Sequence, residues 1–146
     1  MVYNRDNNTR NNKWLLKTTR ELWQEHFSDI PIKNDIIVLF SRRNKRLLGS
    51  IKYESKSKNT LIRLNGHFRN NQIPLYVLRA TLAHEITHYT HGFSSPRKKM
   101  YRYPHQGGVI KKELQKRGLD KLEKESKKWL KTNWGNYINK KSEKII

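Results

Sequence analysis

Leu78-Arg79-Ala80-Thr81-Leu82-Ala83-His84-Glu85-Ile86-Thr87-His88-Tyr89 lies just past the middle of a 146-residue chain, and its reading decides the fold. Leu78, Leu82, Ile86 and Tyr89 recur at helical spacing and make one apolar stripe. Thr81, His84, Glu85 and His88 fall at i, i+3, i+4 and i+7 and make a second face. The spacing predicts a helix over about 74–91, with Pro74 in its first turn, where a missing N–H costs nothing. Two histidines four residues apart project from one face, one turn apart, so their imidazoles can converge on one tetrahedral zinc ion. Glu85 then lies beside the metal rather than on it, where a carboxylate can act as general base toward water. The expected cofactor is one catalytic Zn2+, with His84 and His88 as ligands and Glu85 as the catalytic residue.

A catalytic zinc needs a third protein ligand. The other histidines are His26, His67, His91 and His105. His91 is one further turn along the same helix, about 10 Å in rise from His84, so it belongs beside the site or on the surface. His26 falls on the first helix and His67 just after the third strand. His105 stands alone in Tyr103-Pro104-His105-Gln106-Gly107-Gly108, after a connection long enough to fold back and before a helix that can hold it. It is the favoured third ligand, with Glu113 as the alternative.

Around this helix the pattern is α+β. Leu15, Leu16, Thr19, Leu22, Trp23 and Phe27 predict a helix over about 13–27, ended by Ser28-Asp29-Ile30-Pro31. Three runs rich in Ile, Val, Leu and Phe, at 35–41, 46–53 and 60–65, are separated by polar stretches of hairpin length and predict an antiparallel three-stranded meander. Beyond Gly92, residues 94–104 form a Pro- and Lys/Arg-rich connection. Val109–Lys116 reads as helix, Gly118 interrupts, and a last helix runs from Asp120 to about Lys131 with Leu122, Trp129 and Leu130 inward. The expected organisation is a flexible arm over 1–12, a single domain over 13–132, and a basic tail over 133–146.

The chain carries 32 Lys+Arg against 12 Asp+Glu, a formal net charge of +20. The charge is spread: 16 basic against 7 acidic residues in 1–93, and 16 against 5 in 94–146. A basic body of this kind favours polyanions, nucleic acid above all. Arg42, Arg43, Lys45 and Arg46 at one strand turn, and Arg97, Lys98 and Lys99 in the connection, are the candidate phosphate contacts. There is no cysteine, which excludes disulfides, Cys-ligated zinc ribbons and thiol nucleophiles. No apolar run reaches membrane-spanning length and the N-terminus is polar, so a cytoplasmic or nucleoid-associated protein, and a monomer, is expected.

With these residues in view, the chain resembles the SprT-like zinc metallopeptidase domains, which include the Spartan-type DNA–protein crosslink proteases. The resemblance rests on Arg79-Ala80-Thr81-Leu82-Ala83-His84-Glu85-Ile86-Thr87-His88, on His105-Gln106-Gly107-Gly108-Val109-Ile110, and on Leu47-Leu48-Gly49-Ser50-Ile51 followed by Asn59-Thr60-Leu61-Ile62-Arg63-Leu64-Asn65. It spans roughly residues 13–118. Gln106 stands where the family has glycine, Val109 replaces its usual aromatic, and the C-terminal Cys-type zinc ribbon of many relatives is absent. The resemblance implies a zincin-like fold and an endopeptidase acting on proteins at or crosslinked to DNA, single-stranded DNA included. His84, His88 and His105 would ligate zinc and Glu85 would be the base, with Tyr101, Arg102 and Tyr103 as candidate oxyanion donors. Two other readings are a zinc peptidase whose substrate is not DNA-linked, and a basic nucleic-acid-binding module with a structural zinc.

Overall fold

The structure, a computed structural model, describes residues 9–143. Asn11 opens the first helix, α1 (Asn12–His26), by accepting the Trp14 N–H at 2.8 Å on its side chain. Leu15, Thr19, Leu22 and Trp23 form its buried face. The part of the predicted arm nearest this helix is built into the body. Arg10 is buried and donates to the carbonyls of Phe68 at 2.9 Å and Asn70 at 3.2 Å, while the Asn12 side chain accepts the Phe40 N–H. Residues 1–8 of the expected arm lie outside the described residues.

The strands β1 (Ile36–Phe40), β2 (Gly49–Tyr53) and β3 (Thr60–Leu64) form one sheet, but it is not a meander. The order is β1-β3-β2. β2 and β3 make the expected antiparallel hairpin, with Ile51 opposite Ile62, whereas β1 pairs with β3 in parallel, with Val38 opposite Ile62. The reason lies in the 41–48 connection, which crosses over the end of β3 instead of turning back. Asn65 holds the crossing in place: its side-chain amide donates to the carbonyls of Asn44 (2.6 Å) and Leu47 (2.9 Å) and its oxygen accepts the N–H of Asn44. Gly66 lets the chain pass, since a Cβ there would lie 2.5 Å from the Ser41 carbonyl oxygen. A sequence gap of hairpin length is thus also long enough to span the two strand spacings of about 10 Å.

The central helix α2 (Leu75–Thr90) packs on β3 and β2, with Leu78, Leu82, Ile86 and Tyr89 fully buried. After the 91–108 connection come α3 (Val109–Lys116) and α4 (Asp120–Trp129). The chain stays helical past the predicted end near Lys131, through a π-helical turn (Leu130–Trp134) into α5 (Gly135–Glu143). The stretch expected to be a basic tail is therefore helix from 133 to 143. Tyr137 and Ile138 are buried in the main core, and Trp134 packs on Phe68 and His67 and donates its indole N–H to the Lys45 carbonyl at 2.9 Å. No helix among the described residues is long and apolar enough to cross a membrane.

Deleting residues 133–146 removes these three side chains from the core. The deletion is expected to cost about 3 kcal/mol or more and to lower the thermal midpoint by roughly 10 °C. A midpoint unchanged by the deletion, followed by circular dichroism, would show that the segment does not contribute to the fold.

Candidate metal centre

His84 and His88 project one turn apart from α2, and His105 meets them from the connection before α3. The Nε2 atoms of His84 and His88 are 3.1 Å apart, and those of His84 and His105 are 3.3 Å apart. Ligand nitrogens about 2.0–2.1 Å from a tetrahedral zinc are separated by about 3.3 Å. A hydrogen-bonded reading of the cluster fails on valence. Each Nε2 has one in-plane position, filled by a hydrogen or a lone pair, yet His84 Nε2 faces two others at once. One cation satisfies all three lone pairs. Burial first, then the charge of neighbouring groups (His105 and Lys127 for His84; His84, His105 and His91 for His88), pushes both histidines down to about 4. Both rings are therefore neutral at neutral pH, each with one nitrogen lone pair free to bind, the form a metal requires. The three residues fit a metal ion, and the donor set of neutral imidazoles suits zinc among several transition metals.

Glu85 is adjacent and buried, and its carboxyl is not one of the converging ligands. Burial raises its pKa to about 7. The end of β2 lies directly against it: a Cβ on Gly49 would fall 3.1 Å from Glu85 Oε2 and 2.9 Å from the Thr81 γ-methyl. Only glycine lets the strand come this near the carboxylate.

The two ends of the site are fixed by different devices. At the end of α2 the Gly92 N–H bonds to the Tyr89 carbonyl and the Phe93 N–H to the carbonyl of His88 itself, the paired bonds of a Schellman motif. Gly92 has φ +84°, and its missing side chain lets the Lys98–Lys99 peptide return across it. Ser95 Oγ then bonds to the Tyr89 carbonyl, Arg97 Nε to that of Thr90, and the Met100 N–H to that of His91. The 93–100 segment is thus stitched to the helix terminus. Beyond it, the Tyr103 N–H donates to the Gln106 side chain at 2.9 Å, closing the turn that presents His105. Gln106 thus has a local role, and the left-handed Gly107 and Gly108 redirect the chain into α3.

Behind the cluster, α3 is pinned to α2 by a chain of polar and charged side chains. His91 Nε2 donates to Glu113 Oε1 at 2.9 Å, and Glu113 Oε2 accepts Arg117 Nε at 2.8 Å. Arg117 in turn grips both carboxylate oxygens of Asp29, at 2.6 and 3.1 Å, and lies over the Phe27 ring at 4.5 Å. Burial alone would raise the Glu113 carboxyl; the hydrogen bond from His91 and the charge of Arg117 outweigh it and hold the group below its ordinary value.

This network engages two of the alternative ligands, His91 and Glu113, away from the cluster. His91 is fully buried and turned away from the cluster to Glu113, and Glu113 is committed to His91 and Arg117. His26 bonds through Nδ1 to the Arg117 carbonyl, and His67 packs against Trp134 and Tyr137. Tyr101 sets its ring edge-on to His91 at 4.9 Å, and Arg102 lies over the exposed Tyr103 ring, so no hydrogen bond joins these three residues to the histidines among the described residues. Of the basic candidates, Arg42, Arg43, Lys45 and Arg46 are exposed on the crossing loop, and Lys98 and Lys99 are exposed beyond α2, while Arg97 is partly buried and caps the helix. Sequence reasoning missed the Glu113–Arg117 pair as structure, although its i, i+4 spacing beside Ile110 and Leu114 was the available signal.

Comparison with protein-family models, with curated proteins and with solved structures found no match to this chain.

Because Glu113 is held below its unfolded value, its contribution is present above about pH 4.3 and is lost as pH falls through its folded pKa. Glu113→Gln is expected to cost about 3–5 kcal/mol near neutral pH. In urea melts the gap between variant and wild type should narrow as pH drops below about 4. A gap that is constant from pH 7 to pH 3 would show that the pair does not carry this linkage.

Proposed function

We propose that the protein is a zinc-dependent endopeptidase, with His84, His88 and His105 as the metal ligands and Glu85 as general base. The observation that carries this reading is the convergence of three Nε2 atoms beside a carboxylate that is not itself a ligand. A zinc ion held there supplies Lewis acidity, lowering the pKa of water toward about 7 and polarising a carbonyl. A Glu85 carboxylate oxygen takes the proton from water as its oxygen adds to the peptide carbonyl carbon, and returns it to the amine nitrogen as the C–N bond breaks. The strand β2 supports a peptide as the substrate. It is an edge strand whose Gly49 end lies against Glu85, so an extended chain pairing along it would run past the base.

The +20 charge supports proteins bound to nucleic acid as the substrates, and a cytoplasmic or nucleoid-associated place of work. A zinc peptidase with other substrates is separated from this by the effect of single-stranded DNA on cleavage. A structural zinc in a nucleic-acid-binding module is disfavoured by Glu85, whose buried carboxylate such a module would have no use for.

Glu85→Gln is expected to lower peptide cleavage by about 10²–10⁴-fold while the bound zinc, measured by atomic emission, stays at the wild-type level. Cleavage unaffected by the substitution would remove the proposed base and with it the mechanism.

A further inference from the structure

A cavity of about 310 Å³ opens directly beside Glu85 and His84, lined also by residues of β2 and α4. It lies at the small end of the range for ligand pockets, the size for a side chain rather than a whole cofactor. Its depth comes from small residues on three separate elements: Gly49 on β2, Ala80 on α2 and the buried Ser126 on α4. Leu48 and Leu130 supply apolar wall. α4 supplies Glu123, Ser126 and Lys127 to the lining, and Leu130 follows at the start of the π-helical turn, a kind of turn that gathers at functional sites. The Trp134 indole bonds across to the Lys45 carbonyl, tying the helix that carries Leu130 to the loop that carries Arg46 and fixing the width of the mouth.

The lining also carries charge of both signs, Arg46 and Lys127 against Glu123 and Glu85. Lys127 and Glu123 pair with each other at 3.4 Å. Among the described residues the Arg46 guanidinium makes no ion pair, and the Glu85 carboxyl stands against its charge within the same lining. A polar side chain entering would give up its hydration against walls that are mostly carbon. An aliphatic or aromatic side chain would gain burial without losing a hydrogen bond.

We propose that this cavity is a specificity subsite that takes a leucine-, methionine- or phenylalanine-sized apolar side chain of the substrate residue next to the bond cleaved, and that Ser126 and Leu130 set which sizes fit. The inference rests on the peptidase reading for the position of the scissile bond, and on the cavity alone for the chemistry of the side chain. A floor built from Gly49, Ala80 and Ser126 selects by volume. Walls that are mostly carbon, Leu48 and Leu130 among them, select against polar side chains of the same size.

Two measurements test it, the first of them independent of the peptidase reading. In methyl NMR of the protein as isolated, N-acetyl-leucinamide is expected to shift the Ala80 and Leu130 methyl signals saturably, and N-acetyl-asparaginamide, of similar size but polar, is not. In cleavage of a peptide series varied at one position beside the scissile bond, kcat/KM for leucine should exceed that for alanine by roughly tenfold or more, with asparagine lowest. Ser126→Leu should reduce the leucine-to-alanine ratio to near unity. Leu130→Ala, which enlarges the cavity and does not depend on the first variant folding, should move the optimum toward phenylalanine or larger. Leucinamide binding at these methyls without cleavage of any peptide would support the apolar subsite and count against the peptidase reading. Equal shifts with asparaginamide, or a cleavage preference that neither variant alters, would overturn the proposal.

Discussion

The contact on which the arrangement turns is the buried hydrogen bond from His91 to Glu113. Two of the three converging imidazoles come from one helix and are fixed relative to each other by helical geometry alone. The third comes from a connection and lies 21 residues past His84, with no such guarantee. It is placed because the helix that follows it is held against α2, and the polar part of that hold is His91–Glu113–Arg117. Burying an acid between a histidine and an arginine is costly in isolation, and the mutual pairing offsets that cost only while all partners stay in register. The network therefore specifies one docking of α3 on α2, and Asp29 and the His26 carbonyl extend it to the end of α1. A residue that sequence reading ranks as a spare metal ligand serves instead to place the real candidate.

A second constraint is the nearness of backbone to the central helix. α2 is largely buried on all sides, so groups that reach its chemical face must do so through narrow gaps. Gly49 opens the gap at Glu85, and Gly92 opens the one through which the basic 97–99 segment returns over the helix terminus. The His88 carbonyl is tied into that terminal turn, and His88 Nδ1 is buried with no hydrogen-bond partner among the described residues. Packing and backbone, rather than a side-chain acceptor, fix this imidazole.

The central helix was legible to within a residue or so at each end, because 3.6-residue periodicity and the Pro74 and Gly92 boundaries agreed. The choice of His105 over His91 was also legible, from the rise along a helix and from the length of the connection. The strand pairing was not: the polar gap after Ser41 reads as a hairpin, and only the long-range bonds of Asn65 show that it crosses over β3. The end of the last helix was lost for a related reason. Lysines dominate the composition after 120, while Trp134 and Tyr137, which anchor the segment, find their partners near residues 45 and 67–68. Long-range contacts leave no local period. The cavity beside Glu85 is invisible in sequence for the same reason, being assembled from small residues on three elements that share no motif.

All of this converges on one claim, that three histidines from two distant segments hold one metal ion. Zinc titration against a chromophoric chelator tests it most directly, comparing wild type with His105→Ala. One ion per wild-type chain is predicted, with affinity in the variant reduced by at least about 100-fold, more than is usual for removing a group that only supports a ligand. Zinc bound equally tightly by His105→Ala, with unchanged stoichiometry, would contradict it.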